Sequence, residues 1–375
     1  MNTDIMSVLL HKASFDGLSL KELAQQIEAK KKCKDKLPLW FSTPNIYYPE
    51  RLNLEQASSE ITAAYKSEKV NGRSLVDLTG GFGVDSYFFS EKLDRVFHCE
   101  IDEDLSDIAA HNFLALGAKN IISVKGDGIE FVKQSKVKFD WIFLDPSRRH
   151  KSKGKVFLLS DCLPNVPENL DHLFDKSDRV LIKTSPMLDL SAGLKELREV
   201  LEIHVVAAQN EVKELLWFLR KGATGKVSIH TVNFGNSGTE SFNFDHLEEK
   251  EALSSFGFPA KYLYEPNAAI LKSGGFKIVG SRFGLSKLHE HSHVYTSDIL
   301  TDFPGRRFQI LEVVPYTKRT IQKLNLDKAN ITTRNFPESV AGIRKKFKIK
   351  EGGDIYLFFT KDRDGKLIAL RCKKV

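Results

Sequence analysis

Short apolar runs alternating with helix-like segments predict an α/β chain on a mostly parallel sheet. The runs SLVDL (74–78), RVFHCE (95–100), IISV (121–124), FDWIFLD (139–145) and RVLIK (179–183) are rich in Val, Ile, Leu and Phe. Strands buried on both faces read this way. Segments such as DLSDIAAHNFLALG and GIEFVKQS lie between them, the alternation that covers a parallel sheet with helices. DLTGGFGVD (77–85) sits at the end of the first run, where glycines permit a sharp strand-to-helix turn. LEIHVVAA and GKVSIHTVNF add two more strands, with NEVKELLWFLRK as a helix between them, giving about seven strands by residue 234.

The remaining elements flank this sheet. Residues 1–70 read as helical: SLKELAQQIEAKKK has a serine start, apolar residues at helical spacing and a lysine-rich end that suits the helix dipole. The proline-broken KLPLWFSTPNIYYPE connects it to a second helix, NLEQASSEITAAYKSEKV. The sheet domain then spans 71–240, and the polar NFGNSGTESFNFDHLEEKE marks its end. A small mixed unit (241–302) and a basic unit (303–375) follow, the last closing on a hairpin around DRDG, a strong turn signal.

Charge separates the last unit from the rest. Of a formal net charge of +7, residues 303–375 hold 18 Lys and Arg against 7 Asp and Glu, while the rest holds 38 against 42. A basic module on a near-neutral body suits a nucleic-acid partner, though a lysine-rich solvated surface would read the same way. No window approaches the ~18 apolar residues of a membrane helix, and the start lacks a secretory pattern. Cys33, Cys99, Cys162 and Cys372 are far apart and form no Cys-x-x-Cys pair, which argues for a reducing, cytoplasmic setting and against a structural metal or disulfides. HEHSH (289–293) puts three imidazoles at alternate positions, but with no matching acid or cysteine nearby it reads as an exposed polar strand, not a metal site.

The glycine stretch excludes two ligand classes. Gly81-Phe-Gly83 lacks the third glycine of a dinucleotide fingerprint, and no Gly-Lys-Ser/Thr of a P-loop is present. Acids recur one strand–helix repeat apart, Asp77, Glu100 and Asp127, at spacings of 23 and 27 residues.

DLTGGFGVD resembles motif I of class I S-adenosylmethionine-dependent methyltransferases. Asp77 matches the acidic residue, Thr79 stands where the first glycine would be, and Gly81 and Gly83 match the next two. LEQASSEITAAY, LDPSRR, KTSPMLD, NEVKELL, YLYEPNAAI and RRFQILEVVPY…TTRNFP extend the likeness over most of the chain beyond residue 50. Together they resemble a bacterial group, mostly of Bacteroidetes type, with a small ferredoxin-like insert and a THUMP-like C-terminal domain.

The resemblance implies a Rossmann-like seven-stranded class I methyltransferase sheet, an N-terminal helical segment and small α+β C-terminal domains. It implies S-adenosyl-L-methionine as cofactor. Glu100 would hold the ribose hydroxyls, with Asp102 as a neighbour, and Asp127 and Gly128 would meet the adenine, although Asp127 also reads as a helix cap. DPSRRH (145–150) matches the Asp-Pro start of the motif used by enzymes acting on base nitrogens, but Ser147 and Arg148 replace its second proline and aromatic. The resemblance makes Asp145 and Pro146 the catalytic candidates. Arg148 and Arg149 would hold a phosphate, stack on a base or pair with a carboxylate. Lys183 and Ser185, at the end of the fifth run, would face the substrate or form a core-terminating turn. The function implied is methylation of a base in RNA; an inactive binding module of the same fold and a small-molecule methyltransferase are the alternatives. Cys99 and Cys162 lack the context of pyrimidine-methylating nucleophiles and read as structural.

Overall fold

The computed structural model describes residues 19–148 and 158–375. The chain divides into two compact units, residues 1–201 with 215–224 and residues 202–214 with 225–375.

In the first unit, α1 (Leu20–Lys36), α2 (Pro38–Ser42), α3 (Arg51–Gln56) and α4 (Glu60–Ser67) form the N-terminal helical segment. Ser19 caps α1 by accepting the Glu22 amide at 3.1 Å. The single helix expected over NLEQASSEITAAYKSEKV is two helices. Ser59 accepts the Thr62 amide as N-cap of α4, and the Ser58 hydroxyl donates to Asp85 at 2.7 Å; serines that bond locally favour a break over a helix interior.

The sheet then alternates as expected: β1 (Ser74–Asp77), α5 (Val84–Ser90), β2 (Arg95–Glu100), α6 (Glu103–Ala115), β3 (Ile121–Lys125), α7 (Gly128–Gln134) and β4 (Trp141–Leu144). A two-residue ribbon pairs β5 (Ser147–Arg148) with β6 (Cys162–Leu163). α8 (Val166–Lys176), β7 (Arg179–Thr184) and α9 (Leu190–Glu196) follow. The strands lie in the order β3-β2-β1-β4-β7, all parallel. From β1 the chain winds one way through β2 and β3, then crosses to β4 and β7. The order reverses between β1 and β4, and open α/β sheets bind ligands at such a point.

The helical segment packs on the glycine-rich turn. Trp40 is fully buried and meets Tyr87 edge-on at 5.2 Å and Phe82 at 6.3 Å between ring centroids. Cys33, Leu37, Leu54, Ala63, Val84 and Phe113 complete this core, so the turn rests on an apolar cushion.

The expected helix NEVKELLWFLRK is a strand. β8 (Val200–Ala208) turns through Gln209 and Asn210, both at left-handed φ (52° and 60°), into β9 (Glu211–Arg220). Two consecutive left-handed residues make the tight hairpin turn whose twist matches the strands. The unbroken apolar run from Leu215 to Leu219, buried throughout, then fits a strand covered on both faces. The boundary between the units passes through β9, whose residues Leu215–Arg220 pair antiparallel with β7 in the first unit.

β10 (Ser228–Gly235) runs parallel to β8 and antiparallel to β11 (Gly238–Asp245), so the polar stretch expected as a boundary is a hairpin. The capping box of Asp245 and Glu248 then starts α10 (His246–Glu251).

A seven-stranded sheet closes the chain. Its members are β12 (Tyr262–Pro266), β13 (Ser286–Lys287), β14 (Tyr295–Ser297), β15 (Gly305–Pro315), β16 (Asn330–Thr333), β17 (Ile355–Lys361) and β18 (Leu367–Lys374). They lie in the order β13-β14-β12-β15-β18-β17-β16, with α11 (Ala268–Ser273), α12 (Phe276–Phe283), α13 (Lys318–Lys323) and α14 (Val340–Phe347) in the connections. The DRDG hairpin forms between β17 and β18. HEHSH is a turn, not a strand: the His291 amide donates to His289 Nδ1, and the His293 ring stacks on Phe276 at 3.6 Å.

Candidate active site

Asp77 ends β1 and is 1% exposed. Its Oδ1 accepts the Thr79 amide at 3.1 Å, and its Oδ2 is 2.7 Å from the Ser86 hydroxyl. Ser86 Oγ also lies 3.1 Å from His98 Nδ1. Burial pushes the Asp77 carboxyl up to about 8 and the His98 imidazole down to about 4. Each value disfavours the charged form, as burial in a low-dielectric interior does. At neutral pH the Asp77–Ser86–His98 chain is therefore uncharged. Gly80 is fixed by the same group, because a Cβ there would lie 2.1 Å from the His98 ring. The sequence reading missed Ser86 and His98; the signal for His98 was a lone histidine inside an apolar strand.

The turn itself is held from the next strand. Gly81 sits at φ +56°, and its amide donates to Glu100 Oε2 at 2.7 Å. Glu100 Oε1 accepts the Asp102 amide at 2.9 Å. Gly83, at φ +83°, caps α5, and a Cβ there would strike the Phe113 ring. Asp127 caps α7, its Oδ1 accepting the amides of Ile129 and Glu130, so the capping expectation is realised. Gly128 packs against the backbone of Leu78, where a Cβ would come within 2.4 Å of the carbonyl oxygen. Asp102 caps α6 by accepting the Leu105 amide. Ile101, between Glu100 and Asp102, is 71% exposed.

Asp145 and Pro146 follow β4. The Asp145 amide donates to the Thr79 hydroxyl at 2.7 Å, and its carboxylate pairs with Lys183 Nζ from β7. Pro146 is buried. The backbone of Arg148 pairs with Cys162; Arg149 lies outside the described residues. Ser185 Oγ accepts the Met187 amide at 3.2 Å, which makes it part of a turn. The ends of β1, β4 and β7 thus tie Thr79, Asp145 and Lys183 into one hydrogen-bonded set, and those of β1 and β2 tie Gly81 and Glu100 into a second. Asp127 is joined to neither set by the hydrogen bonds among the described residues.

A further ion pair, unforeseen from the sequence, lies beneath the turn. Lys66, fully buried, meets Asp85 at 3.2 Å, and Ser58 bonds to both side chains.

This fold is of the class I methyltransferase type. A ferredoxin-like domain model matches residues 262–304, and a THUMP domain-like model matches residues 305–374. A crystal structure from Porphyromonas gingivalis W83, of a protein under the provisional name of methyltransferase, is 34% identical. It aligns with a TM-score of 0.91 over 100% of this chain and 95% of that one. The chain belongs to the same family as that protein. An rRNA methylase from Streptococcus thermophilus is 16% identical over 44% of this chain and 98% of that one, with a TM-score of 0.32. The tRNA m1G37 methyltransferase of M. jannaschii is 15% identical over 45% and 51%, also with a TM-score of 0.32. No curated protein matches the chain.

Proposed function

We propose that the chain is an S-adenosyl-L-methionine-dependent methyltransferase that modifies a base in RNA. The observation that carries this is the Gly81–Glu100 hydrogen bond between the ends of β1 and β2, beside the switch point of the sheet. It presents a glycine turn and a carboxylate together, the pair an adenosine-bearing ligand needs.

The residues present fit the cofactor. A Cβ on Gly81 would meet only the Thr79 carbonyl, at 3.9 Å, and one on Gly126 would meet nothing within 4 Å, so the backbone is open at the ends of β1 and β3. Glu100 has each oxygen engaged by one amide and retains a further lone pair on each for ribose hydroxyls. The exposed Ile101 offers an apolar face for adenine, and Asp127 stands at the end of β3 to receive its amino group. When bound, the cofactor supplies a methyl group on a sulfonium. Asp145 orients the acceptor through the carboxylate oxygen not held by Lys183, and Pro146 stiffens the loop; positioning of this kind supplies much of the acceleration in transfer reactions.

RNA as substrate rests on the THUMP-like match together with the positive excess of residues 303–375. Lys345, Lys348 and Lys350, near the end of α14, are exposed. A cytoplasmic setting accords with the four buried free thiols, and no described helix is long and apolar enough to cross a membrane.

The test is transfer of labelled methyl from S-adenosyl-L-methionine to RNA from a strain lacking the gene. Label in a modified nucleoside supports the reading. Cofactor binding without label in RNA would favour an inactive module or a small-molecule acceptor.

A further inference from the structure

Outside the candidate active site, one cluster in the second unit has the composition and geometry of a metal centre. Glu202 and His204 lie two residues apart on β8 and so share a face of the strand. His230 on β10 is the direct register partner of His204, which brings it to the same face. His204 Nε2 is 2.9 Å from Glu202 Oε2, and His230 Nε2 is 3.7 Å from that same oxygen. The two imidazole rings are 4.5 Å apart between centroids, tilted by 35°. One ligand atom from each residue lies within 4.8 Å of the other two.

We propose that Glu202, His204 and His230 bind a zinc ion that cross-links β8 and β10. Two imidazoles and one carboxylate are a common zinc donor set. Two neutral imidazoles can both direct Nε2 at one carboxylate oxygen only as donors, and a single oxygen then serves both. A divalent cation instead uses a lone pair from each of the three groups. Tetrahedral zinc, with bonds of about 2 Å, needs its ligand atoms roughly 3.3 Å apart, so the 2.9 Å His204–Glu202 spacing opens slightly and the 3.7 Å His230–Glu202 spacing closes slightly. His204 is 3% exposed and fixed, whereas the side chains of His230 and Glu202 are 30% and 37% exposed and have room to close. The exposed side leaves a fourth position for water. The ligands must be deprotonated to bind, so affinity falls in acid.

The test is titration of the metal-stripped full chain with Co2+, whose visible bands report tetrahedral coordination, followed by displacement with Zn2+. The wild type is expected to take up a single equivalent with tetrahedral intensity and to melt at higher temperature with Zn2+ than with EDTA. Because His204 is buried, the decisive variant is His230→Gln, on the more exposed of the two histidines. It should weaken Co2+ binding about tenfold or more and abolish the Zn2+ effect on melting. A wild type without the bands, or a His230→Gln chain that titrates like the wild type, overturns the proposal. Neither readout depends on methyl transfer.

Discussion

The Asp145 backbone amide donates to the Thr79 hydroxyl at 2.7 Å across 66 residues of sequence. Thr79 stands where the resemblance would place a glycine, and the structure gives that departure a purpose. The hydroxyl ties the glycine-rich turn after β1 to the Asp-Pro loop after β4. Thr79→Val keeps the shape and removes the acceptor, leaving the amide unpaired at a cost of about 1–3 kcal/mol. Methyl transfer should fall about tenfold or more through kcat, and Thr79→Ser should restore most of it. Full kcat in the valine variant would show that the tie is dispensable.

Asp77 and His98 predict a pH dependence of stability. The Asp77 carboxyl is raised to about 8 in the folded chain, so the unfolded chain releases this proton first. From about pH 4 to about pH 8 the group therefore costs stability progressively. Asp77→Asn has no such titration, and its amide can still accept from Thr79 and bond Ser86. Urea unfolding from pH 5 to pH 8 should show the variant gaining on the wild type as pH rises. His98, lowered to about 4, acts at the other end: its contribution is complete above the ordinary histidine range and is lost as pH falls toward 4. Parallel stability curves for wild type and Asp77→Asn would contradict the buried, protonated carboxyl.

The Lys183–Asp145 pair predicts a loss of turnover when either partner is changed. Lys183→Met removes the cation that holds the Asp145 carboxylate in place, so kcat should fall about tenfold or more with little change in cofactor affinity. Asp145→Asn should lower kcat by about a hundredfold or more without a comparable change in cofactor affinity. Full kcat in Lys183→Met would separate the ion pair from the chemistry.

The basic C-terminal residues predict a salt-dependent RNA affinity. Removing the whole segment would strip β15 from its partner β12, so charge reversal is the cleaner probe. Lys345→Glu with Lys350→Glu should weaken binding to bulk tRNA and flatten the slope of log K against log salt by about 2. An unchanged slope would remove these two lysines from the RNA contact.

The sheet was legible because β1 to β4 and β7 read as plain apolar runs; β1, β4 and β7 are largely buried, whereas the edge strand β3 is not. β9 was misread because its charged start, Glu211-Val-Lys-Glu214, mimics helical spacing, and the turn at Gln209–Asn210 carries no glycine to announce it. Glu100, Asp145 and Lys183 were legible from their places at strand ends. The Ser86–His98 partnership and the Lys66–Asp85 pair were not, since each depends on packing between separate elements. Glu202, His204 and His230 escaped notice for the same reason, being brought together only by the register of β8 with β10.

Calorimetric titration with S-adenosyl-L-methionine tests the account most directly. Glu100 holds the Gly81 and Asp102 amides and is assigned the ribose. Glu100→Ala should therefore weaken binding about tenfold to a hundredfold, the loss of one or two charge-assisted hydrogen bonds, while the variant stays folded by circular dichroism. No binding heat from the wild type, or equal affinity in a folded Glu100→Ala chain, would contradict the cofactor site proposed at the end of β1 and β2.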